Sequence, residues 1–280
     1  MAVLLSLLSA LSYGLSDFVG GVTSKRTSPW SVALVGQLAG ACVMLVTAWL
    51  VGGSPTGGDA AWAVVAGAGN GFGTAFLYRG LSSGRMGVVA PVSGVGATLV
   101  PVVVALATGE RPAALVWLGV LAALPGIWLV AREPVPEDVG GDPPRSSGLV
   151  DGVLAGLGFG GLFAALAQIP DTAGLYPLAM NQVVAAVVII AVASALRTPW
   201  LPRQPVALLG AVSGTLGALA TGAFLLATQT GYLTVTAVLA SLYPAVTVLL
   251  AATVLRERVH RGQAVGLVLC GVAVALVATG

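Results

Sequence analysis

The sequence predicts an all-α integral membrane protein whose ten transmembrane helices form two inverted repeats of five. Three observations carry this prediction. Of 280 residues, 57% are apolar and only 8% charged, with a mean hydropathy of +0.99, whereas a water-soluble domain has about 25% charged residues. The apolar residues come in blocks of roughly 20, the length that crosses a hydrocarbon core about 30 Å thick. The two halves of the chain also match one another, without gaps, at an offset of 147 residues.

The composition excludes a soluble enzyme, and it excludes a disordered or collagen-like chain because the 39 glycines keep no strict period in so apolar a sequence. A net charge of +2 with dispersed Lys and Arg gives no nucleic-acid footprint. Cys42 and Cys270 sit alone in apolar blocks, which points to small buried hydrophobes rather than a disulfide or metal site. Lys25 and Arg26 follow the first apolar block instead of preceding it, the reverse of a signal peptide, so that block is expected to remain as a span.

Charged and Pro/Gly punctuation places the spans at 2–22, 31–51, 60–80, 87–108, 114–131, 149–169, 176–196, 205–228, 234–255 and 263–279. The acidic, proline-rich segment 132–148 is expected to be a solvated linker between repeats 1–131 and 149–280. Across the offset Gly67 matches Gly214, Thr74 matches Thr221, Glu110-Arg111 matches Glu257-Arg258, and Gly119 matches Gly266. Five spans per copy make the copies cross the membrane in opposite directions, the inverted architecture of many secondary transporters. Eleven of the 12 Lys and Arg lie in loops on one side and Arg111 alone on the other. The positive-inside rule therefore puts both termini outside the cytoplasm.

Trp30, Trp62, Trp117 and Trp200 lie near span ends, as interfacial anchors do. Small-xxx-small spacings at Gly36/Gly40, Gly67/Gly71, Gly69/Gly73, Gly152/Gly156, Gly156/Gly160, Gly210/Gly214 and Gly262/Gly266 are candidates for close helix crossings.

Within the spans, Asp17 is the most informative residue, because an acid there costs about 2.5–3.5 kcal/mol on insertion scales and needs a partner, water or a function. Ser6, Ser9, Ser12, Tyr13, Ser16 and Asp17 share an arc of about 140° opposite a leucine face, which turns this stripe toward protein or water. Such an acid can bind a cation, pair with an amine or carry a proton; equally, it can pair with Lys25, Arg26 or Arg79. Asn70, Thr74 and Tyr78 share an arc of the third span, and Ser213, Gly217, Thr221 and Thr228 repeat the pattern in the eighth. Pro91, Pro101 and Pro244 interrupt the ladder of the fourth and ninth spans, with Thr236, Tyr243 and Thr247 near the last. Gln168, Asn181 and Gln182 read as capping or interfacial residues near span ends, and the duplicated Glu-Arg pairs as ionic anchors that fix a turn. Catalytic motifs are missing: His260 is the single histidine, no G-x-S-x-G is present, and a chain whose one lysine is Lys25 has no Walker loop.

The segments GLSDFVGG (14–21), TGERP (108–112), WLGVLAALPGIWLV (117–130), LYPAVTVLLAATVLRERV (242–259) and GQAVGLVLCGVAV (262–274) resemble the EamA-like, ten-helix branch of the drug/metabolite transporter superfamily. The resemblance implies a central cavity lined by helices one, three, four, six, eight and nine. It also implies alternating access and export of small metabolites, amino acids or drugs, without a cofactor. Small multidrug relatives keep a proton-coupling acid in helix one, where Asp17 lies, nearer the far end. Familiar ten-helix members keep their termini inside, against the charge count here. The resulting expectation is a secondary transporter of the bacterial plasma membrane, not an enzyme, with lipid and a small-molecule substrate as partners and a proton or other ion as a candidate coupling partner. Tyr13, Ser16, Asp17, Asn70, Thr74, Thr221 and Tyr243 would line its path. A membrane assembly protein with dry polar seams, or a passive channel, is the alternative.

Overall fold

The computed structural model describes residues 1–82, 86–131, 146–256 and 259–279, apart from the side chains of 78, 80–88, 90, 91 and 146–148. The expected linker, Glu257 and Arg258 therefore fall wholly or mainly outside the described residues. Among the described residues eleven α-helices account for nine to ten membrane-length spans: α1 (Ala2–Ser24), α2 (Pro29–Val51), α3 (Gly57–Ser82), α4 (Met86–Ala107), α5 (Ala114–Ala131), α6 (Ser146–Leu166), α7 (Tyr176–Ala195), α8 (Gly210–Thr228), α9 (Leu233–Ala240), α10 (Tyr243–Val254) and α11 (Arg261–Thr279). Helices α9 and α10 together form the ninth span, 22 residues long.

The break in that span has a local cause. Pro244 has no N–H for the carbonyl of Ala240, one turn upstream, and its ring crowds that carbonyl, so α9 ends there. Pro244 then occupies the first turn of α10, where a missing donor costs nothing. Pro101 and Pro125, by contrast, are carried within α4 and α5 without a break.

Helix packing obeys the exchange of the two repeats. Helix α3 lies along α6 as α8 lies along α1, and α3 meets α7 as α8 meets α2. Helices α5 and α11, which correspond to each other, pack together across the pseudo-two-fold axis. There Gly119 faces Ala273 and Val277, while its mate Gly266 faces Gly126 and Val130, the mates of those two residues. With five crossings in each copy, the second runs inverted relative to the first.

Lipid removes most of the hydrophobic drive between helices, so close van der Waals contact and hydrogen bonds must hold the bundle. Glycine supplies the contact. Gly36 and Gly214 meet backbone to backbone, Gly69 and Gly73 face α6, and Gly152, Gly156 and Gly160 face Val92, Gly96 and Val100 of α4. Gly262 is the exception among the spacings singled out, with nothing within 4 Å. Two smaller expectations fail: Trp30 is buried against Ala33, Ala75 and Ile189 instead of reaching the headgroups, and Cys42 is exposed.

The Glu110-Arg111 pair does something other than ionic anchoring. The Glu110 carboxylate accepts hydrogen bonds from the backbone N–H of Leu233 at 2.6 Å, and from the N–H and hydroxyl of Thr234 at 3.0 and 2.8 Å. A first-repeat acid thus caps the positive N-terminus of α9 in the second repeat. Arg111 stays exposed and donates to the carbonyl of its neighbour Glu110 at 2.9 Å.

Three stability predictions follow from these contacts. Gly158→Ala places a Cβ 2.5 Å from the backbone nitrogen of Gly73, where neither backbone can yield, and is expected to cost about 1–3 kcal/mol. Gly161→Ala, in open space, should leave the melting temperature in detergent unchanged. Glu110→Ala should lower stability by about 0.5–2 kcal/mol through loss of the cap; an unchanged melt would show that the cap contributes nothing.

Candidate functional site

The hydroxyl stripe of α1 is spent chiefly on α8. Ser9 donates to the carbonyl of Ala220 at 2.8 Å, Ser16 to that of Ser213 at 2.8 Å, and Ser213 returns a bond to the carbonyl of Ser16 at 2.9 Å. Thr221 donates to the carbonyl of Gly217 at 2.7 Å. Its single proton is thereby used, so the 2.8 Å contact between the hydroxyls of Tyr13 and Thr221 has Tyr13 as donor. This seam fixes the Tyr13 ring, which lies 5.9 Å from Phe163 and 6.0 Å from Tyr243, centroid to centroid.

Beside the seam the helices enclose a cavity of about 120 Å³, and Tyr13, Ser16, Asp17, Asn70, Thr74, Thr221 and Tyr243 all line it. The structure thus brings the seven residues singled out in the sequence to one place. Helices α2 and α7 line it too, through Gln37 and Gln182, beyond the six helices implied by the resemblance. Gln182 is neither a cap nor interfacial: it is buried and accepts a hydrogen bond from the amide of Asn70 at 3.0 Å, while Gln37 donates to Asn70 at 3.4 Å. Three helices are joined by this amide chain, which answers why Asn70 can sit at mid-membrane. Asn181 is fully buried, and neither atom of its amide has a protein partner. Gln37 was missed in the sequence, although it is an amide inside an apolar span, the same signal that marked Asn70.

Asp17 is exposed at the mouth of the cavity and makes no hydrogen bond or ion pair among the described residues. Structural pairing with Lys25, Arg26 or Arg79 is not what the fold does. Arg79 instead bonds Asp151 at the start of α6, with its Nε at 2.8 Å, and its guanidinium lies 4.6 Å from the centroid of Phe76. No Lys, Arg or His is among the described lining residues.

The cavity is partly open, and Asp17, its one exposed lining residue, lies with Leu77 and Ser213 toward the end of the bundle that carries Lys25, Arg26, Arg79 and Arg197. Toward the opposite end it is closed by Phe163 and Phe224, stacked 4.5 Å apart, over Leu166, Ile169, Leu178 and Leu225, all buried. Residues with hydrogen-bonding groups line the cavity toward Asp17, and large apolar side chains pack beyond Phe163. Nothing here assembles a nucleophile with a base, and no group of three or more His, Cys, Asp or Glu able to hold a metal exists among the described residues.

In a background of Cys42→Ala and Cys270→Ala, Thr74→Cys is expected to react with a membrane-impermeant thiol reagent only from the basic end. Leu225→Cys should react at least tenfold more slowly from either end, and equal rates would contradict a cavity closed on one side.

The EamA-like transporter family model matches residues 1–132 and again 146–279, one copy on each half of the chain. No curated protein matches the sequence. Among solved chains with a similar fold, one crystal structure superposes with a TM-score of 0.78 at 17% identity, over 99% of this chain and 98% of the other. That identity supports the fold alone. Two matches to one family model, covering nearly the whole length in two halves that the structure relates by exchange, place the chain in the EamA-like transporter family.

Proposed function

We propose that the protein is a secondary active transporter of the bacterial plasma membrane that exports small organic metabolites, amino acids or drugs by alternating access. The observation that carries this reading is the polar cavity, open at one end and plugged at the other, between two inverted copies of one unit. In such a scaffold an exchange of conformations between repeats closes the open vestibule and opens the closed one. Repeats at 1–131 and 149–280, joined by a solvated 132–148, are the rocking bodies of this scheme. A through-going channel is disfavoured by the buried Phe163/Phe224 layer.

The closed half gives a reason for a second state. Asn181, Thr236 and Ser241 are buried there with polar side-chain atoms that have no protein partner. An unmet buried polar group costs about 1–3 kcal/mol, which a conformation that wets this half would recover. In the orientation given by the positive-inside rule, the open mouth faces the cytoplasm and both termini lie outside. Loading from the cytoplasm then fits export, and Asp17, unpaired at that mouth, is the group placed to couple transport to a proton or to recognise a cation.

Reconstituted protein should move solutes against a gradient when a pH gradient is imposed, and Asp17→Asn should abolish that accumulation. Accumulation that persists in Asp17→Asn would remove Asp17 as the proton carrier. A reporter fused after Gly280 should be active only outside the cytoplasm; activity inside would reverse the orientation and, with it, the direction of loading.

A further inference from the structure

The chemistry of the cavity wall selects among solutes. Asp17 supplies the one carboxyl among the described lining residues, and no described residue pairs with it. Tyr13 precedes it by one helical turn, so the two side chains leave α1 on neighbouring positions of one face. Tyr243 and Phe163 stand 6.0 and 5.9 Å from the Tyr13 ring, so three aromatic side chains surround the inner wall behind the acid. Ring faces and a carboxylate both attract a cation. An anionic solute finds no cationic side chain among the described lining residues to meet it. The remaining polar groups, the Asn70–Gln182 amide pair and the hydroxyls of Thr74 and Thr221, hold their own hydrogen bonds or offer acceptors of the kind an ammonium group needs.

Size sets the second limit. At about 120 Å³ the cavity is close to the roughly 150 Å³ of an apolar protein cavity that takes one benzene. The space suits a compact solute with its charged end at the mouth and its apolar end against Phe163. We propose that the cavity is a binding site for small organic ammonium ions, held by Asp17 at the mouth and by the aromatic wall of Tyr13, Tyr243 and Phe163 within. This rests on the transporter reading for its physiological sense, since a site open to one side that releases its ligand to the other is what export requires.

Three probes of similar shape and different charge test it: butylammonium, pentan-1-ol and pentanoate, each radiolabelled, in equilibrium binding to the full-length protein in detergent and in counterflow across proteoliposomes. Butylammonium is expected to bind at least tenfold tighter than pentan-1-ol, with pentanoate weaker than both. Asp17→Asn should erase the preference for the ammonium to within twofold, with an unchanged melting temperature in detergent showing that the variant is folded. Tyr13→Leu should weaken butylammonium at least threefold more than pentan-1-ol. The proposal is overturned if pentanoate or pentan-1-ol binds as tightly as butylammonium, if no probe binds, or if the ammonium preference survives Asp17→Asn. Asp17-dependent ammonium binding without counterflow keeps this site and sinks the transporter reading. Counterflow of pentanoate alone does the opposite.

Discussion

Close approach of helix backbones is the constraint on which the rest of the structure depends. A bundle in lipid cannot draw on the exclusion of water to hold its helices together, and what remains is contact and hydrogen bonding. Gly36 against Gly214, Gly158 against Gly69 and Gly73, and Gly119 and Gly266 across the axis bring helices from different repeats to distances at which a single Cβ would collide. These crossings join the two repeats around the rim and leave the middle free. The cavity is therefore flanked by tight seams, and its polar groups are positioned by closely packed helices.

The same scaffold is chemically one-sided because the copies diverged at a few positions. Ser16 and Asp17 at the open mouth correspond to Phe163 and Ala164, and Leu77 corresponds to Phe224. The inverted equivalents of the wet vestibule's residues thus include both members of the stacked aromatic pair that closes the other end. Likewise the α1–α8 crossing is joined by Ser9 and Ser16, while its counterpart α3–α6 is joined by glycine contact. Symmetry of backbone with asymmetry of side chains gives the two ends of the bundle different chemistry.

The spans and the repeat were legible in the sequence because both are long-range averages: a 20-residue apolar block survives many substitutions, and the Gly67/Gly214 and Thr74/Thr221 matches fall where packing and hydroxyl chemistry tolerate little change. The inward faces of Asp17 and Asn70 were legible because a polar group facing lipid is costly. Distance along the chain hid the rest. Nothing local in TGERP says that Glu110 will meet the N–H groups of Leu233 and Thr234, 123 and 124 positions away. Gln182 was misplaced because seven residues from the start of a helix is shallow in sequence but deep enough in space to reach Asn70. Arg79 found Asp151 rather than Asp17 for the same kind of reason: sequence ranks neighbours by span, and only the fold says which spans touch.

The break in the ninth span ties these features together. Its mate, α4, runs unbroken from Met86 to Ala107, so among the described residues the joint at mid-membrane belongs to the second repeat alone. On one side of that joint α9 is fixed to the first repeat by Glu110; on the other, α10 presents Tyr243 to the cavity, and Thr247 reaches the carbonyl of Gly14 on α1 at 3.3 Å. A displacement of α1 at the mouth therefore acts on α10 directly, whereas α9, held by three hydrogen bonds to one carboxylate, resists it. The residues between, Ser241 and Leu242, are where the difference must be taken up, and Ser241 is also where a buried hydroxyl lacks a protein partner. A joint with an unmet polar group, flanked by one anchored and one cavity-lining half, concentrates the cost of the present arrangement at one point of the ninth span.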